Sequence, residues 1–263
     1  MSIKNFSVVF IFLILLQIRN DVVWAQLSDS DWNLMLIRED KVLPSNTAAY
    51  ESSLMNLKNF LERENVKNFN YFTHLQDDYN FVHITPVRNL NDIGKGIHEL
   101  ISKETSNQEY ERILEYLDQM TESYRYYIIQ YKPALSYIPP GDDWEKGIPY
   151  RKWTLYHFKT GSEKEVEEIL LAWKHLYEDK QIKTGFRVFT GFLGVEQPMY
   201  ILTTWAADPL DYHEKLQKTI RQLGEEGTLL WTKMMENVTE AEEVEGWFLP
   251  QYSYAPGMKL AGK

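Results

Sequence analysis

Two short stretches decide the fold: "SYIPP" at Ser136 to Pro140 and "SYAPG" at Ser253 to Gly257, which start 117 residues apart. Three further pairs occur in the same order at offsets of 117, 116 and 121 residues, namely Phe72-Thr73 with Phe189-Thr190, Val66-Lys67 with Ile182-Lys183, and Trp32 with Trp153. Similarity within one chain at a nearly constant offset indicates a duplication. We therefore expect two copies of one structural unit.

The second copy shows the order of elements most clearly. "KWTLYHF" alternates and is rich in aromatic residues, as strands are. Ser162 and Glu165 have the spacing of a capping box and predict the start of a helix. "GFRVFTGF" and "MYILTTW" predict two strands, and Asp208 with Pro209 predicts a second helix that ends near Gly224. A further helix and the strand "VEGWFLPQ" complete the order β-α-β-β-α-α-β.

The first copy repeats this order from "DWNLMLIR" onward. A helix is predicted from about Asn46 to Glu64, with its apolar residues on one face. "FNYFTHL" and "NFVHITPV" predict a hairpin, and helices near Asp92 to Lys103 and Asn107 to Glu122 precede the strand "SYRYYIIQY". The stretch between the copies, "KPALSYIPPGDDWEKGIP", is dense in proline and glycine, which is typical of a linker.

Two β-α-β-β-α-β units in one chain resemble the dimeric α+β barrel superfamily, whose ferredoxin-like units pair through their sheets. Over about residues 31 to 256, the extra helix before the last strand and the Trp- and Tyr-rich strands look most like the antibiotic-biosynthesis-monooxygenase and NIPSNAP-like groups. The resemblance implies an α+β fold in which two tandem ferredoxin-like units form an intramolecular pseudo-dimeric α+β barrel. Members include cofactor-free oxygenases, haem-degrading enzymes, isomerases and stress proteins, so this fold does not fix a function. No catalytic residue of the family can be assigned to a position in this chain.

The N-terminus has the layout of a cleaved secretory signal. Lys4 precedes a 13-residue apolar run from Phe6 to Ile18, and the small residue Ala25 stands at the expected cleavage site. The run is shorter than the roughly 20 residues that span a bilayer as a helix. We predict a signal peptide over residues 1–25, a first repeat over 26–131, a linker over 132–150, a second repeat over 151–256 and a C-terminal tail over 257–263.

Charge and cysteine content restrict the partners and the compartment. Without Lys4, Arg19 and Asp21 of the signal, the 28 basic and 38 acidic residues become 26 and 37, a balance of −11. An acidic chain does not attract phosphates, so we expect no nucleic-acid partner and no membrane contact after signal cleavage. The chain has no cysteine, which for an exported protein fits a bacterial periplasm better than an animal extracellular space. Fusion of the two units predicts a monomer.

The hairpin "FTHLQDDYNFVHIT", Phe72 to Thr85, holds two of the six histidines. If a two-residue turn is centred on positions 78 and 79, His74 faces His83, and Phe72 and Phe81 share their side of the hairpin. A register shift of one residue would destroy this pairing. Two histidines are too few for a zinc site, so neither a metal nor a cofactor is predicted. Ordinary hydrogen-bonded interior histidines are the alternative to ligand contact.

Three residues of the second copy are further candidates for ligand binding: His157 on its first strand, Arg187 within "GFRVFT", and Trp205 at a strand end. The chain has 17 Tyr, 12 Phe and 8 Trp, which are the usual lining of a pocket, so we predict a small organic ligand in an aromatic-lined cavity. One alternative is a cofactor-free oxygenase or isomerase with His74 or His83 as general base. A second alternative is a non-catalytic protein that recruits a partner at an exposed sheet edge.

Overall fold

A computed structural model describes residues 33–67, 69–93, 107–140 and 148–256. The predicted signal peptide, the predicted C-terminal tail, residues 141–147 of the linker and most of the helix expected near Asp92 to Lys103 lie outside the described residues. The helices given with their bounds are α1 (Thr47–Arg63), α2 (Asn107–Met120), α3 (Glu163–Asp179) and α4 (Pro209–Asn237). The strands are β1 (Leu34–Val42), β2 (Phe72–Gln76), β3 (Asn80–Val87), β4 (Thr121–Tyr131), β5 (Tyr150–Phe158), β6 (Arg187–Leu193), β7 (Met199–Ala206) and β8 (Val238–Phe248).

The strands close into one antiparallel barrel in the order β1-β3-β2-β8-β5-β7-β6-β4. We call β1 to β4 with α1 and α2 the first half, and β5 to β8 with α3 and α4 the second half. Each half has the same spatial order, with its last strand beside its first, then its third, then its second. The halves meet at the pairs β2–β8 and β4–β6. Among the helices in the described ranges, none has both the length and the apolar character needed to cross a lipid bilayer.

Alternation along the strands divides the core into layers. In β5 every second residue is buried more deeply than its neighbours. Tyr156 and Phe158 pack with Val166 of α3 in the core beneath the helices of the second half. Trp153 and Leu155, on the opposite face of the strand, pack in the barrel interior. The first half has its own core beneath α1 and α2, so the barrel interior is a third layer shared by both halves.

The chain segments that follow β4 and β8 cross to the opposite half. Tyr137, after β4, bridges to Phe186 immediately before β6, and Tyr254, after β8, bridges to Tyr71 immediately before β2. Tyr137 packs in the core of the second half, and Tyr254 packs in the core of the first. The beginning of the predicted linker thus contributes to the core of the second half.

The serines of the two matching stretches make the same hydrogen bonds. Each hydroxyl, of Ser136 and of Ser253, donates to the carbonyl oxygen four residues earlier at 2.8 Å. Ser136 Oγ also accepts from the backbone N–H of Val188 at 2.9 Å, and Ser253 Oγ accepts from that of Thr73 at 2.9 Å. Each serine therefore fastens the end of its own half to the second strand of the other half.

The helix boundaries read from the sequence have different outcomes. Asp208 caps α4, because its side chain accepts from the N–H three residues on at 2.9 Å, and Pro209 is the first helical residue, as predicted. The expected break occurs at Gly224, whose backbone is not helical (φ 60°, ψ −143°). The capping box at Ser162 is wrong, since this hydroxyl donates to the carbonyl of Lys159 at 2.7 Å and caps no helical N–H.

The last strand of each half pairs with the other half over only part of its length. β8 pairs with β5 over most of its length, but with β2 only from Gly246 onward. β4 pairs with β1 over most of its length, but with β6 only from Ile128 onward. We call the space between the free edge of β8 and the β2–β3 turn the first mouth. The second mouth is the corresponding position between the free edge of β4 and the β6–β7 turn.

Candidate functional site

The hairpin expected to pair two histidines has a different register. β2 and β3 pair Thr73 with His83 and His74 with Val82, so the predicted pairing of His74 with His83 is wrong. The turn contains three residues, Asp77–Tyr79, of which the last two have positive φ (58° and 57°), and not the two residues assumed from the sequence. One additional turn residue moves every side chain of β3 to the opposite face of the sheet.

His83 and Phe81 face the helices of the first half. The ring of His83 is fully engaged, with Nε2 2.9 Å from the Tyr50 hydroxyl and Nδ1 3.0 Å from the Thr73 hydroxyl. Burial lowers the pKa of His83 to about 4, although the nearby Asp40 carboxylate acts in the opposite direction. Phe81 is fully buried, and its ring centroid lies 4.8 Å from that of Tyr50. Both residues therefore belong to the core beneath α1.

His74 and Phe72 face the barrel interior at the β2–β8 seam. The His74 ring centroid lies 5.4 Å from that of Trp153 and 5.2 Å from that of Phe248. Among the described residues, His74 Nδ1 has no hydrogen-bond partner, and burial holds the pKa of this imidazole well below its usual value. Phe72 is buried 6.4 Å from Phe248. Neither side chain is among the residues that line the cavity described below.

The three candidates of the second half also lie on the inner face of their strands. His157 pairs with Met199, a residue of the interior core. The Arg187 guanidinium lies 5.8 Å from the Tyr131 ring centroid, and Trp205 is buried. The structure does not bring the seven sequence-predicted residues together, and none of them lines the cavity at the first mouth. Their contact with a ligand stays a prediction.

A cavity of about 570 Å³ lies inside the barrel at the first mouth. The apolar part of its wall is formed by aliphatic side chains and one indole, and includes Ile37, Val82, Ile84, Ile129, Trp153 and Leu155. Tyr124 and Tyr127 also line it. Seven charged residues also line it, five acidic and two basic: Glu39, Asp77, Asp78, Glu242, Glu243, Lys41 and Arg125. Pockets of this size with apolar walls and a few polar groups are typical of small-molecule sites.

Glu39 is the buried member of this charged set. Its position on β1 is an inward one, opposite Arg125 on β4 and Val82 on β3. One carboxylate oxygen accepts from the Tyr127 hydroxyl at 2.5 Å, and the other accepts from Nε of Arg125. Burial, and then the charge of Glu39, raise the pKa of Tyr127 well above its usual value, so the phenol remains a donor. A carboxylate has about four acceptor positions, which leaves capacity for a ligand.

Sequence reasoning missed Glu39 and Tyr127, although one signal was present. In "LMLIREDKV", Met35, Ile37 and Glu39 occupy alternate positions of one strand. A carboxylate in phase with core residues is uncommon, because an unpaired buried charge is costly. Such a residue therefore deserves to be a candidate even before its partners are known.

The second mouth is filled by its own turn. Val195 of this turn packs in the interior core of the barrel. A Cβ built on Gly191 would lie 2.6 Å from Val195 Cγ2 and would also clash with the Gln197 side chain, so only glycine leaves room for the turn. Gly194 has a φ of 82°, and a Cβ there would lie 3.2 Å from the Tyr126 carbonyl oxygen. The turn thus closes tightly against β4.

Haem and metal ions do not fit the residues at the cavity. Haem requires an axial ligand, usually His, Cys, Met or Tyr, and no His, Cys or Met is among the residues that line the cavity. Of its two tyrosines, Tyr127 donates to Glu39, and the ring of Tyr124 lies 5.0 Å from the Arg38 guanidinium. The excess of carboxylates also opposes the haem propionates. In the part of the chain that the structure describes, no group of three or more His, Asp or Glu residues could hold a metal ion.

No family model matches the chain, and no curated protein matches it. Among solved structures, it is similar to a proposed monooxygenase from Lactobacillus acidophilus NCFM, with a TM-score of 0.58 and 6% identity over 88% of this chain and 100% of that one. A proposed monooxygenase from Fusobacterium nucleatum gives a TM-score of 0.58 and 13% identity over 89% and 99% of the two chains. Chlorite dismutase from Candidatus Nitrospira defluvii, in complex with imidazole, gives 0.53 and 10% over 87% and 95%. At these identities the similarity establishes the fold alone, and it confirms the resemblance seen in the sequence: the chain has the fold of the dimeric α+β barrel superfamily.

Proposed function

We propose that this protein binds a small organic molecule inside the barrel, at the first mouth. The cavity of about 570 Å³ carries the proposal, because it combines apolar walls with one buried, hydrogen-bonded carboxylate. Burial of the ligand against Ile37, Val82 and Trp153 would supply affinity, at about 25 cal/mol for each Å² of apolar surface removed from water. Glu39 and Tyr127 would orient the ligand, since Glu39 is buried in that wall and Tyr127 donates to it.

We also propose that the two halves are tandem copies of one ferredoxin-like unit, which form the barrel as an intramolecular pseudo-dimer. The equal strand order in both halves supports this proposal. The equivalent hydrogen bonds of Ser136 and Ser253 support it independently, because they arise from the two stretches that match in sequence. Since Val195 packs in the interior core, we expect the ligand to enter at the first mouth and not at the second.

Two neighbouring threonines of β7 provide a test of ligand binding. Thr203 lines the cavity, whereas Thr204 points to the opposite face of the same strand and pairs with Lys152. We expect wild-type protein to bind 2-naphthol, a neutral apolar probe, at one molecule per chain in isothermal titration calorimetry. Thr203→Trp should abolish this binding by filling the cavity, and Thr204→Trp should retain it. Equal binding by both folded variants, or no binding of any aromatic probe by the wild type, would refute the proposal.

Proton abstraction from a bound ligand is a second candidate function, favoured by the position of the Glu39 carboxylate at the cavity. The predicted histidine bases are poorly placed for this role, because both nitrogens of His83 are engaged beneath α1 and His74 does not line the cavity. Glu39 would accept a proton from a carbon next to a carbonyl group, and the electron pair would move to the carbonyl oxygen. Exchange of the α-protons of 2-tetralone in D₂O, followed by NMR, tests this. If the wild type accelerates this exchange and Glu39→Gln does not, proton abstraction by Glu39 is supported. Equal exchange rates with the two proteins would refute it.

Export to a bacterial periplasm and a monomeric state are further proposals, and both rest on the sequence. The first requires that residues 1–25 are removed, so the N-terminal residue of protein recovered from the periplasm should be Gln26. The second requires one chain per particle in light scattering at all concentrations. An apparent molar mass that increases with concentration would favour the alternative, in which the free edge of β4 or β8 recruits another strand.

A further inference from the structure

The charges at the first mouth do not balance, and the structure shows which of them are already compensated. Arg125 pairs with Glu39. Lys41 lies 3.4 Å from Glu122, and Glu243 lies 2.9 Å from Lys152.

Three lining carboxylates are left after these pairs: Asp77, Asp78 and Glu242. None of the three forms an ion pair with a described residue. Both lining cations are therefore already committed to other carboxylates, and the opening carries a net negative charge.

This negative charge extends from the rim to the interior of the cavity. Glu242 is on an inward position of β8, opposite Leu155. It lies close enough to Arg125 and Tyr127 to contribute to raising the pKa of each. For Arg125 the hydrogen bond to Glu39 is the largest cause and burial opposes it, and for Tyr127 burial and then Glu39 are the larger causes. Glu39 itself, with two of its acceptor positions filled, is buried against the aliphatic wall. A bound group that donates hydrogen bonds would complete the coordination of Glu39 and also reduce the repulsion between the carboxylates.

The apolar wall also suits a cation. The Trp153 side chain lines the cavity opposite β1, and Tyr127 lies beside Glu39. The faces of indole and phenol rings attract cations that lie within about 6 Å of the ring centre. An anionic ligand would meet the same residues with repulsion from the carboxylates and without a free cation in compensation.

We infer that the ligand of this cavity is an organic cation, an amine or guanidine attached to an apolar body, with its charged group directed toward Glu39 and Glu242. The inference rests on the proposed function, since it specifies what the same cavity binds. It also defines a selectivity: cation over neutral analogue, and neutral analogue over anion.

Three probes that share one ring system test the inference. 2-Naphthylmethylamine, 2-naphthol and 2-naphthoate are titrated into the full-length protein at pH 7 and low salt by calorimetry. We expect the amine to bind about tenfold more tightly than naphthoate, with naphthol between them, and this difference to shrink as salt screens the rim charges. Glu242→Gln, at an exposed position, should weaken binding of the amine about threefold and leave naphthol within about twofold.

Two further variants separate a charge effect from a folding effect. Glu39→Gln should weaken amine binding more than Glu242→Gln does, because Glu39 is buried. Glu240→Gln, two residues from Glu242 on β8 but outside the cavity lining, should leave all three affinities unchanged. If no probe binds, the proposed function and the inference both fail. If all three bind equally, or naphthoate binds best, the ligand-binding function stands and the inference is overturned.

Discussion

The two mouths of the barrel share a strand order but end differently. At the first mouth, a three-residue turn stops at the rim and leaves a cavity lined by Glu39. At the second, the five residues from Gly194 to Pro198 connect β6 and β7 and insert Val195 into the interior core. Two additional loop residues thus convert a potential cavity into packed core. Where two halves share a strand order, as they do here, loop length decides where a ligand can enter.

The strands of the two halves also differ, because the first half has polar residues where the second has apolar ones. By strand register, Glu39 of β1 corresponds to Leu155 of β5, and His83 of β3 corresponds to Leu202 of β7. The first half therefore has polar groups on both faces of its sheet at positions where the second half has leucine. Because buried polar groups must be hydrogen-bonded, the first half depends more on specific partners, and the second depends more on packing.

The largest effect is expected from Gly191→Ala. The new Cβ would lie 2.6 Å from Val195 Cγ2 and would clash with Gln197, so the turn must leave the second mouth. We expect the free energy of unfolding, measured in urea, to fall by about 3 kcal/mol. Gln76→Ala, at the corresponding place before the open turn, is the control and should cost under about 1 kcal/mol, through its bond to Asn80. Equal losses in both variants would show that the second turn is no more tightly packed than the first.

His83→Leu gives the first half the residue of the second. The substitution removes the partner of the Tyr50 and Thr73 hydroxyls, while each hydroxyl has a second acceptor within reach, the Asp40 carboxylate for Tyr50 and the Tyr252 carbonyl for Thr73. We expect a loss of about 2 kcal/mol in urea unfolding. The matched change in the other half, Leu202→Ala, should cost about the same through lost packing. An unchanged or higher stability of His83→Leu would show that the hydrogen bonds of His83 contribute nothing net.

The same variant should alter the dependence of stability on pH. The pKa of His83 is about 4 in the folded protein and about 6.5 when unfolded. Between these values the unfolded chain binds more protons, so wild-type stability falls as the pH is lowered from 6.5 to 4. His74, whose pKa is also lowered, acts in the same sense, and the slope should become smaller in His83→Leu without vanishing. Parallel curves for the two proteins would contradict the buried neutral state of His83.

Val195→Ala should have an intermediate effect. The side chain is partly buried against the interior core, and removing two methyl groups should cost about 1 kcal/mol. Leu193→Ala, two residues earlier at an exposed position, should stay within about 0.5 kcal/mol. If the two variants lose the same free energy of unfolding, Val195 does not fill the second mouth, and the contrast between the two mouths weakens.

The smallest effect is expected from Tyr79→Gly in the open turn. Tyr79 is exposed and has a φ of 57°, so glycine would relieve left-handed strain of about 1 kcal/mol while adding a similar entropic cost in the unfolded chain. We expect a net change within about 0.5 kcal/mol. A loss above about 1 kcal/mol would show that the tyrosine side chain itself holds the turn.

The sequence predicted the strands well because strand character is local. β5 alternates over its whole length, and Asp208 with Pro209 is a start signal that needs no tertiary contact. The register of the first hairpin depended on whether Asp77 belongs to the strand or to the turn, a choice decided by small differences in backbone energy. A cavity was predicted, but its position could not be, because that depends on which of the two turns enters the barrel, and Val195 meets its neighbours only in the closed structure.

The crossing segments bear on how this chain is made. The core of the second half is completed by Tyr137, which precedes that half in the chain. The core of the first half is completed by Tyr254, whose hydroxyl donates to the Val66 carbonyl at 2.6 Å and to the Leu61 carbonyl at 3.2 Å. Because a ribosome releases the chain from its N-terminus, the half that emerges first must wait for a residue that follows the whole second half. We therefore expect the first half to stay incompletely packed until the second half has been synthesised.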